Sequence, residues 1–168
     1  MLGMQHVHPF LVAQLFVLLL LANGAPVIAT RIFGVFLACP LDGGITLADG
    51  RPLFGHSKTI RGVAFSLLVT TLAAPWIGLS WTIGLIVSAM AMTGDLLSSF
   101  TKRRMKLRSG SMALGLDQVP EALLPAIACR FALPLTLLDL VLVTALFLAA
   151  ELAASRALYA LNIRERPY

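Results

Sequence analysis

The sequence has 168 residues, of which 58% are hydrophobic and only 12% are charged, and this composition excludes an ordinary soluble domain. The apolar residues form long uninterrupted blocks, so we predict one all-α integral membrane domain over residues 1–168. A net charge of +5 is compatible with nucleic-acid binding, but the Lys and Arg residues follow the ends of the apolar blocks. That distribution is the signature of membrane topology and excludes a nucleic-acid partner.

The apolar blocks predict about five transmembrane helices, because a span needs roughly 20 apolar residues. The first block is uncharged and forms one helix. The second uncharged block has 33 residues, which is too long for one span, so the chain folds back near Pro75 and Gly78. Pro134 separates the last two helices. The predicted helices are residues 10–29, 62–79, 81–100, 119–133 and 135–154.

The Lys and Arg residues are distributed very unequally between the two ends of these helices. The two long polar loops and the C-terminal tail hold four, five and three of them, whereas the N-terminus and the turn between helices two and three hold none. The positive-inside rule therefore places both loops and the tail in the cytoplasm of a multi-pass protein of the cell membrane. An odd number of helices then puts the N-terminus outside. Lys58, Lys106 and Tyr168 are predicted to face the cytoplasm.

The predicted outer end carries a few polar residues. The first 24 residues lack the Lys or Arg that begins a signal peptide, so we expect the first helix to be retained. We expect His6 and His8 to form a disordered tail and not a metal site. Arg130 and Asp139 flank the turn at Pro134 and are expected to pair.

Asp95 is an ionisable residue inside the third predicted helix. It lies about 21 Å beyond the start of that helix, still within a hydrocarbon layer of roughly 30 Å. A carboxylate at that depth costs several kcal/mol unless a cation, a cavity or a partner receives it, so a functional role is the default hypothesis. Ser99 and Lys102 follow at a spacing that puts them on the same face, with Arg103 close by. The alternative is a structural Asp–Arg pair or a simple helix-end residue.

The loop between the first two helices is rich in glycine, acidic and basic residues. Glycine allows a close backbone approach to phosphate, Lys and Arg supply positive charge, and Asp can hold a divalent metal. The alternative is a flexible loop with ordinary turn residues. A P-loop is excluded because His56 and Ser57 separate Gly55 from Lys58.

A second basic run extends from Lys102 to Arg108. Such a run is usually a topology determinant or an anchor for lipid headgroups. Here it lies between Asp95 and Asp117, and this flanking pair of acids indicates a functional site.

Taken together, these motifs resemble the CDP-archaeol synthase family, which is related to phosphatidate cytidylyltransferases. The element from Ser99 to Arg103 is shared with the latter. The resemblance follows the chain in order over nearly its whole length. Its segments are Asn23-Gly24-Ala25-Pro26, Asp42-Gly43-Gly44, Asp49-Gly50-Arg51, Lys58-Thr59-x-Arg61-Gly62, Gly94-Asp95-Leu96, Ser99-Phe100-Thr101-Lys102-Arg103, Leu116-Asp117-Gln118 and Pro167-Tyr168.

The resemblance implies a Mg²⁺-dependent enzyme at the cytoplasmic face, with CTP, a membrane lipid phosphate and the bilayer as partners. The lipid phosphate attacks the α-phosphorus of CTP and yields a CDP-lipid and pyrophosphate. Asp95 and Asp117 are the expected metal ligands, and Lys102 and Arg103 complete the expected catalytic set. The expected substrate-binding residues are Asn23, Asp42, Gly43, Gly44, Asp49, Arg51, Lys58, Thr59, Arg61, Ser99 and Gln118, with Lys58 and Arg61 on the CTP phosphates.

The sequence departs from the family pattern in two places. Pro120 stands where a second acid often follows Asp117-Gln118, and Glu121 is a candidate substitute. His56 stands where an acidic or small residue is usual. These departures leave the acceptor lipid open between an archaeal diether and a bacterial diacyl lipid, and the oligomeric state is not specified.

The competing hypothesis is a small non-enzymatic transporter or scaffold. A transporter would be expected to carry polar residues near the midplane of several helices, often with an inverted repeat. The clustering of polar residues in two loops and at one helix end favours an enzyme with an interfacial site.

Overall fold

The predicted all-α fold is confirmed by a computed structural model, which describes residues 6–109, 111 and 113–160, with side chains as far as residue 157. A short 3₁₀ helix at Ala74–Ile77 follows α2 and makes the predicted turn. The five α-helices are α1 Pro9–Phe33, α2 Ile60–Ala73, α3 Trp81–Arg104, α4 Gln118–Cys129 and α5 Leu137–Ala160.

Among the described residues, α1, α3 and α5, and α2 together with the 3₁₀ helix that follows it, are long and apolar enough to cross a membrane. The exception is α4, whose 12 residues extend only about 18 Å, short of a hydrocarbon layer of roughly 30 Å. The fourth helix was predicted to run to residue 133, but it ends at Cys129. In contrast, α1 and α3 each continue four residues beyond their predicted ends.

The reason that α4 is short lies in its contact with α3. The start of α4 packs against Gly94, which lies ten residues before the end of α3 at Arg104. At 1.5 Å per residue, α4 begins about 15 Å below that end. The connecting segment must therefore fold back beside the last turns of α3, which brings its polar residues into the bundle.

The two ends of the bundle differ in chemistry. One end, here called the basic end, contains the loop between α1 and α2, the end of α3 and the segment that leads to α4. At the opposite end, the Gln14 amide donates to the Ile77 carbonyl. An apolar core of side chains from α1, α3, α4 and α5 lies between the two ends.

His8 and Asp139 join α1 to α5 at the opposite end. The His8 backbone nitrogen lies 2.8 Å from Asp139 Oδ1, and its ring Nδ1 lies 2.9 Å from Oδ2. The expectation that His8 belongs to a disordered tail is therefore wrong. The expected Arg130–Asp139 pair is also wrong, because the buried Asp139 carboxylate is bound by His8 and Thr136 instead. Residues 161–168, including the Pro167-Tyr168 ending and the predicted cytoplasmic Tyr168, lie outside the described residues.

Candidate functional site

A charged cavity of about 260 Å³ lies at the basic end, between α1, α3, α4 and α5 and beneath the two loops. It is here called the charged cavity. The lining combines residues from both loops with residues from four helices. Its charged lining residues are Lys58, Asp95, Lys102, Arg103, Asp117, Glu121 and Glu151.

Asp95 is held by a lysine from the first loop. Lys58 Nζ lies 2.5 Å from Asp95 Oδ1 and 2.6 Å from Oδ2, and both side chains are about one-fifth exposed. An ammonium group thus offsets the cost of a carboxylate inside a transmembrane helix. Ser99 and Lys102 line the same cavity, as their predicted common face with Asp95 required.

Asp117 is held by a lysine as well. Lys102 Nζ lies 2.7 Å from Asp117 Oδ1 and donates to the Ser111 carbonyl at 2.7 Å. The contact with Oδ1 is an ion pair without hydrogen-bond geometry. The other oxygen, Oδ2, accepts the Ala113 backbone N–H. Lys102 and Asp117 therefore fix the segment before α4 against the last turn of α3.

Arg103 lines the cavity and is almost completely buried. Its Nη2 donates to the Arg108 carbonyl, whereas its Nε is buried without a hydrogen-bond partner among the described residues. The guanidinium thus retains a donor for a further acceptor in this region. Arg103 and Lys102 provide two cationic groups on adjacent positions of α3.

Two acids complete the cavity. Glu121, on the first turn of α4, is buried, and its carboxyl faces Asp95, Glu151 and the Lys58 ammonium. The candidate substitute for the acid absent at Pro120 thus points into the site. Glu151 was missed in the sequence. Its place in the middle of an apolar helix was the available signal, because an intramembrane carboxylate implies function.

Gly94 explains how α3 and α4 approach closely enough to juxtapose Asp95 and Glu121. A Cβ at Gly94 would overlap the Pro120 carbonyl and lie 2.7 Å from the Glu121 backbone nitrogen. The glycine of the Gly94-Asp95 motif is therefore required by packing. It sets the separation between the acids of the two helices.

Asp42 organises the first loop but does not line the charged cavity. Its carboxylate accepts backbone N–H groups from Gly44, Phe54 and Gly55 at 3.0, 2.9 and 3.0 Å. Burial alone would raise the pKa of Asp42, but these hydrogen bonds outweigh it and lower the pKa below its usual value. Gly43 adopts a positive φ of 57° in the turn that the carboxylate closes. This part of the motif holds Phe54 and Lys58 in place.

Asp49 and Arg51 also lie outside the cavity lining. Asp49 Oδ2 pairs with Arg104 Nη1 at 2.6 Å and Oδ1 accepts the Arg51 backbone N–H. Arg104 donates to the carbonyls of Arg51 and Pro52. This pair joins the first loop to the end of α3, which supports a role in shaping the site and gives no support to direct substrate contact.

Arg61 does not reach the charged cavity, so its expected contact with the CTP phosphates has no support from its position. Its Nη1 donates to the Gly34 and Phe36 carbonyls, and its Nη2 approaches Thr30 Oγ1 at 3.5 Å. It lies instead at a separate apolar groove beside α1 and α2. Sequence proximity to Lys58 was misleading because Lys58 precedes α2, whereas Arg61 is on the helix and points to its other side.

The remaining expected substrate-binding residues divide into two groups. Asn23 lines the charged cavity, and Thr59, which caps α2 by accepting the Gly62 N–H, lines a small adjoining pocket that shares Lys58 and Asp95. Gln118 is fully buried, accepts the Gly115 N–H and does not line the cavity. Ser57 and Ser111 line it without any signal in the sequence.

The acids of the cavity have the donor chemistry that Mg²⁺ requires, since this ion prefers carboxylate oxygens. In the described part of the chain, no three His, Cys, Asp or Glu side chains are grouped to hold a metal ion as they stand. Lys58 and Lys102 hold Asp95 and Asp117 in positions where a divalent cation would otherwise supply the positive charge. Asp95 and Asp117 thus have suitable donor atoms for the expected ion, but each is paired with a lysine in this structure.

A family model described as CarS-like, CDP-archaeol synthase, matches residues 9–80 and 76–168 of this sequence. The chain belongs to the CDP-archaeol synthase family. The CDP-archaeol synthase of Pyrobaculum calidifontis is 33% identical over an alignment 169 positions long, and that alignment covers 94% of this chain and 98% of that protein. The enzyme of that name from Pyrococcus furiosus is 38% identical over 122 residues, or 66% of this chain and 70% of that protein.

A solved structure agrees with this assignment to the CDP-archaeol synthase family. It is described as an intramembrane enzyme for archaeal membrane lipids biosynthesis and is 32% identical to this chain. The TM-score is 0.69, over 84% of this chain and 90% of that one. The resemblance read from the motifs is thus confirmed, and the chain is a membrane protein of a family of lipid-biosynthesis enzymes.

Proposed function

We propose that this protein is a CTP-dependent cytidylyltransferase that converts a membrane lipid phosphate to a CDP-lipid with release of pyrophosphate. The observation that carries the proposal is the charged cavity, where three basic and four acidic side chains meet at one end of a membrane bundle. A nucleotide and a lipid headgroup are both anionic and meet at such a boundary. Membership of the CDP-archaeol synthase family supports the same reaction.

In this proposal the two substrates bind to different basic residues. Lys58, on the loop that faces the aqueous side, takes the CTP phosphates. Lys102 and Arg103, at the end of α3, take the lipid phosphate, and Ser99 donates a hydrogen bond from the same face. Charge-assisted hydrogen bonds to phosphate are the strong class of such contacts and hold the two anions together.

The reaction itself requires little covalent help from the protein. An oxygen of the lipid phosphate forms a bond to the α-phosphorus of CTP, while the bond from that phosphorus to the bridging oxygen breaks and pyrophosphate leaves with the electron pair. The lipid phosphate is already an anionic nucleophile, so no general base is needed. Positioning and neutralisation of charge by Lys58, Lys102 and Arg103 are the contributions of the chain.

We further propose that Mg²⁺ binds to Asp95 and Asp117, with Glu121 as a third acid. Bound there, the ion would neutralise negative charge on the reacting and departing phosphates. Lys58 and Lys102 would leave these carboxylates and turn to the substrates. The short ion pairs in the present structure support this exchange, because each aspartate already attracts a cation.

The acceptor is proposed to be a lipid phosphate of the diether type, because the relatives at 33% and 38% identity are named CDP-archaeol synthases. A diacyl phosphatidic acid is the alternative. The basic end is proposed to face the cytoplasm, where CTP is available. The Lys and Arg distribution supports this orientation.

Purified protein should be incubated with labelled CTP, Mg²⁺ and vesicles that contain either a diether or a diacyl lipid phosphate. The expected result is a labelled CDP-lipid together with pyrophosphate, with no product from ATP or from the unphosphorylated diether alcohol. Thermal stabilisation of the solubilised protein by CTP with Mg²⁺ provides a second measurement, since ligand binding to the native state raises stability. Absence of both product and stabilisation would overturn the proposal.

A further inference from the structure

The helices α1 and α5 are joined at the end opposite the basic end, and both line the charged cavity at the basic end. At the opposite end they are joined by His8 and Asp139, and buried side chains such as Leu15 and Phe147 belong to one apolar core. Further along, the two helices face the charged cavity, α1 with Val27 and α5 with Glu151. A polar space has therefore replaced the apolar packing between them.

Val27 shows that the cavity reaches the lipid-facing surface here. It lines the cavity, yet 63% of its surface is exposed. Because α1 is long and apolar enough to be a transmembrane span, an exposed valine at this position faces hydrocarbon chains. The cavity thus has one rim that borders the bilayer, between the halves of α1 and α5 that lie toward the basic end.

Two other pairs of helices are in close contact at the same level. Gly94 of α3 is in contact with the backbone at Pro120 of α4. Gly62 of α2 lies close to Pro26 of α1, and Ser66 donates to the Ala22 carbonyl. These contacts leave little room for a lipid between α3 and α4 or between α1 and α2.

Arg31 lies about one helical turn beyond Val27, in the last turn of α1. It follows Val27 by four residues, which places both side chains on the same side of α1. It is exposed and belongs to the last turn of the helix, at the basic end. An arginine at such a position extends its aliphatic stem along apolar surface and its guanidinium toward the phosphates of the lipid headgroups.

We propose that the lipid phosphate reaches the charged cavity sideways from the bilayer, through the opening between α1 and α5, and that Arg31 at its mouth binds the phosphate group before it passes to Lys102 and Arg103. The inference rests on the proposed function, because it assumes that the acceptor is a membrane lipid with a phosphate headgroup. The hydrocarbon chains remain in the bilayer throughout, beside Val27. Arg31 is thus a positioning residue and does not touch the reacting phosphorus of CTP.

The test uses two variants at the rim and two matched controls. Val27→Trp narrows the opening, and Ile28→Trp adds the same bulk at the next position, which is exposed but does not line the cavity. Arg31→Gln removes the cation, and Lys106→Gln removes a cation from an exposed turn beyond α3. Steady-state kinetics are measured with a long-chain lipid phosphate in vesicles and with a short-chain, water-soluble one.

Arg31→Gln should raise the KM for the long-chain lipid roughly tenfold, as expected for a lost charge-assisted contact, and leave the KM for CTP and kcat unchanged. Arg31→Lys should restore part of the loss. Val27→Trp should raise the same KM but affect the short-chain substrate much less. Unchanged lipid KM values in both variants, or equal effects in the Ile28→Trp and Lys106→Gln controls, would overturn the proposal.

A second measurement separates this inference from the reaction. A lipid phosphate with a photoreactive chain is cross-linked to the wild-type protein in vesicles without CTP. Cross-links on α1 near Val27 and on α5 near Glu151 would support the opening even if no CDP-lipid were formed, in which case only the proposed function fails. Cross-links confined to α2 would overturn the opening whether or not the enzyme is active.

Discussion

Lys58 and Asp95 lie 37 residues apart in the chain and form a two-pronged ion pair at 2.5 and 2.6 Å in the charged cavity. The lysine comes from a loop and the aspartate from the interior of α3. Their pairing closes the loop onto the transmembrane bundle and neutralises a carboxylate that would be costly alone. In the proposed mechanism Lys58 turns to CTP, and Mg²⁺ would then replace it at Asp95.

Lys58→Ala should raise the KM for CTP about tenfold or more without preventing membrane insertion, because a charge-assisted phosphate contact is lost. The unpaired Asp95 should lower the melting temperature, and added Mg²⁺ should restore part of that loss. Enzyme assays and thermal unfolding with and without Mg²⁺ measure both effects. Lys106→Ala is the matched control. Wild-type kinetics in Lys58→Ala would show that Lys58 does not bind CTP and that the loop is an ordinary linker.

Asp95→Asn and Asp117→Asn should each abolish CDP-lipid formation while the protein stays folded and inserted. An amide keeps the shape of the side chain but lacks the negative charge that holds a divalent cation. Both variants should also lose the Mg²⁺-dependent stabilisation by CTP, measured by thermal unfolding. Near-normal turnover at ordinary Mg²⁺ in either variant would show that its aspartate is not a metal ligand.

Glu121→Gln should lower turnover at least about tenfold and raise the Mg²⁺ concentration needed for half-maximal activity, since an acid next to Asp95 that is proposed to bind the ion is replaced by an amide. Glu121→Asp should recover part of the activity. Titration of activity and of thermal stability with Mg²⁺ distinguishes metal binding from a folding defect. An unchanged Mg²⁺ dependence in Glu121→Gln would show that Glu121 does not contribute to Mg²⁺ binding.

Gly94→Ala should destabilise the protein by roughly 1–3 kcal/mol and reduce activity, because the added methyl group forces α3 away from α4. Gly24→Ala is the matched control: a Cβ at that position meets no atom within 4 Å, so the change should be neutral or slightly stabilising. Thermal unfolding of both variants measures the difference. Equal stability of the two would contradict the packing role of Gly94.

The membrane orientation is predicted to place the basic end inside the cell. In a background without Cys39 and Cys129, Lys106→Cys should resist an impermeant thiol reagent in intact cells and react after permeabilisation. Phe10→Cys, at an exposed position near the start of α1, should react from outside. Labelling of Lys106→Cys from outside would show that the protein has the opposite orientation in the membrane.

The sequence by itself determined the class of the protein. Long uncharged blocks predicted transmembrane helices, and Pro75 and Gly78 predicted a turn. The motifs around Asp95 and Asp117 identified the family. All of these signals are local or compositional, so they can be read without the fold. The common face of Asp95, Ser99 and Lys102 was also predictable, because helical spacing is fixed. These residues do line one cavity.

Only the tertiary structure decided which of the polar residues share a site. Lys58 and Arg61 are three residues apart, yet the start of α2 directs one to Asp95 and the other to the carbonyls of Gly34 and Phe36. Glu151 reaches the cavity because α5 packs beside α1, and α4 is short because it packs against Gly94. Contacts between distant segments depend on how helices approach each other in three dimensions, and spacing along one chain does not contain that information.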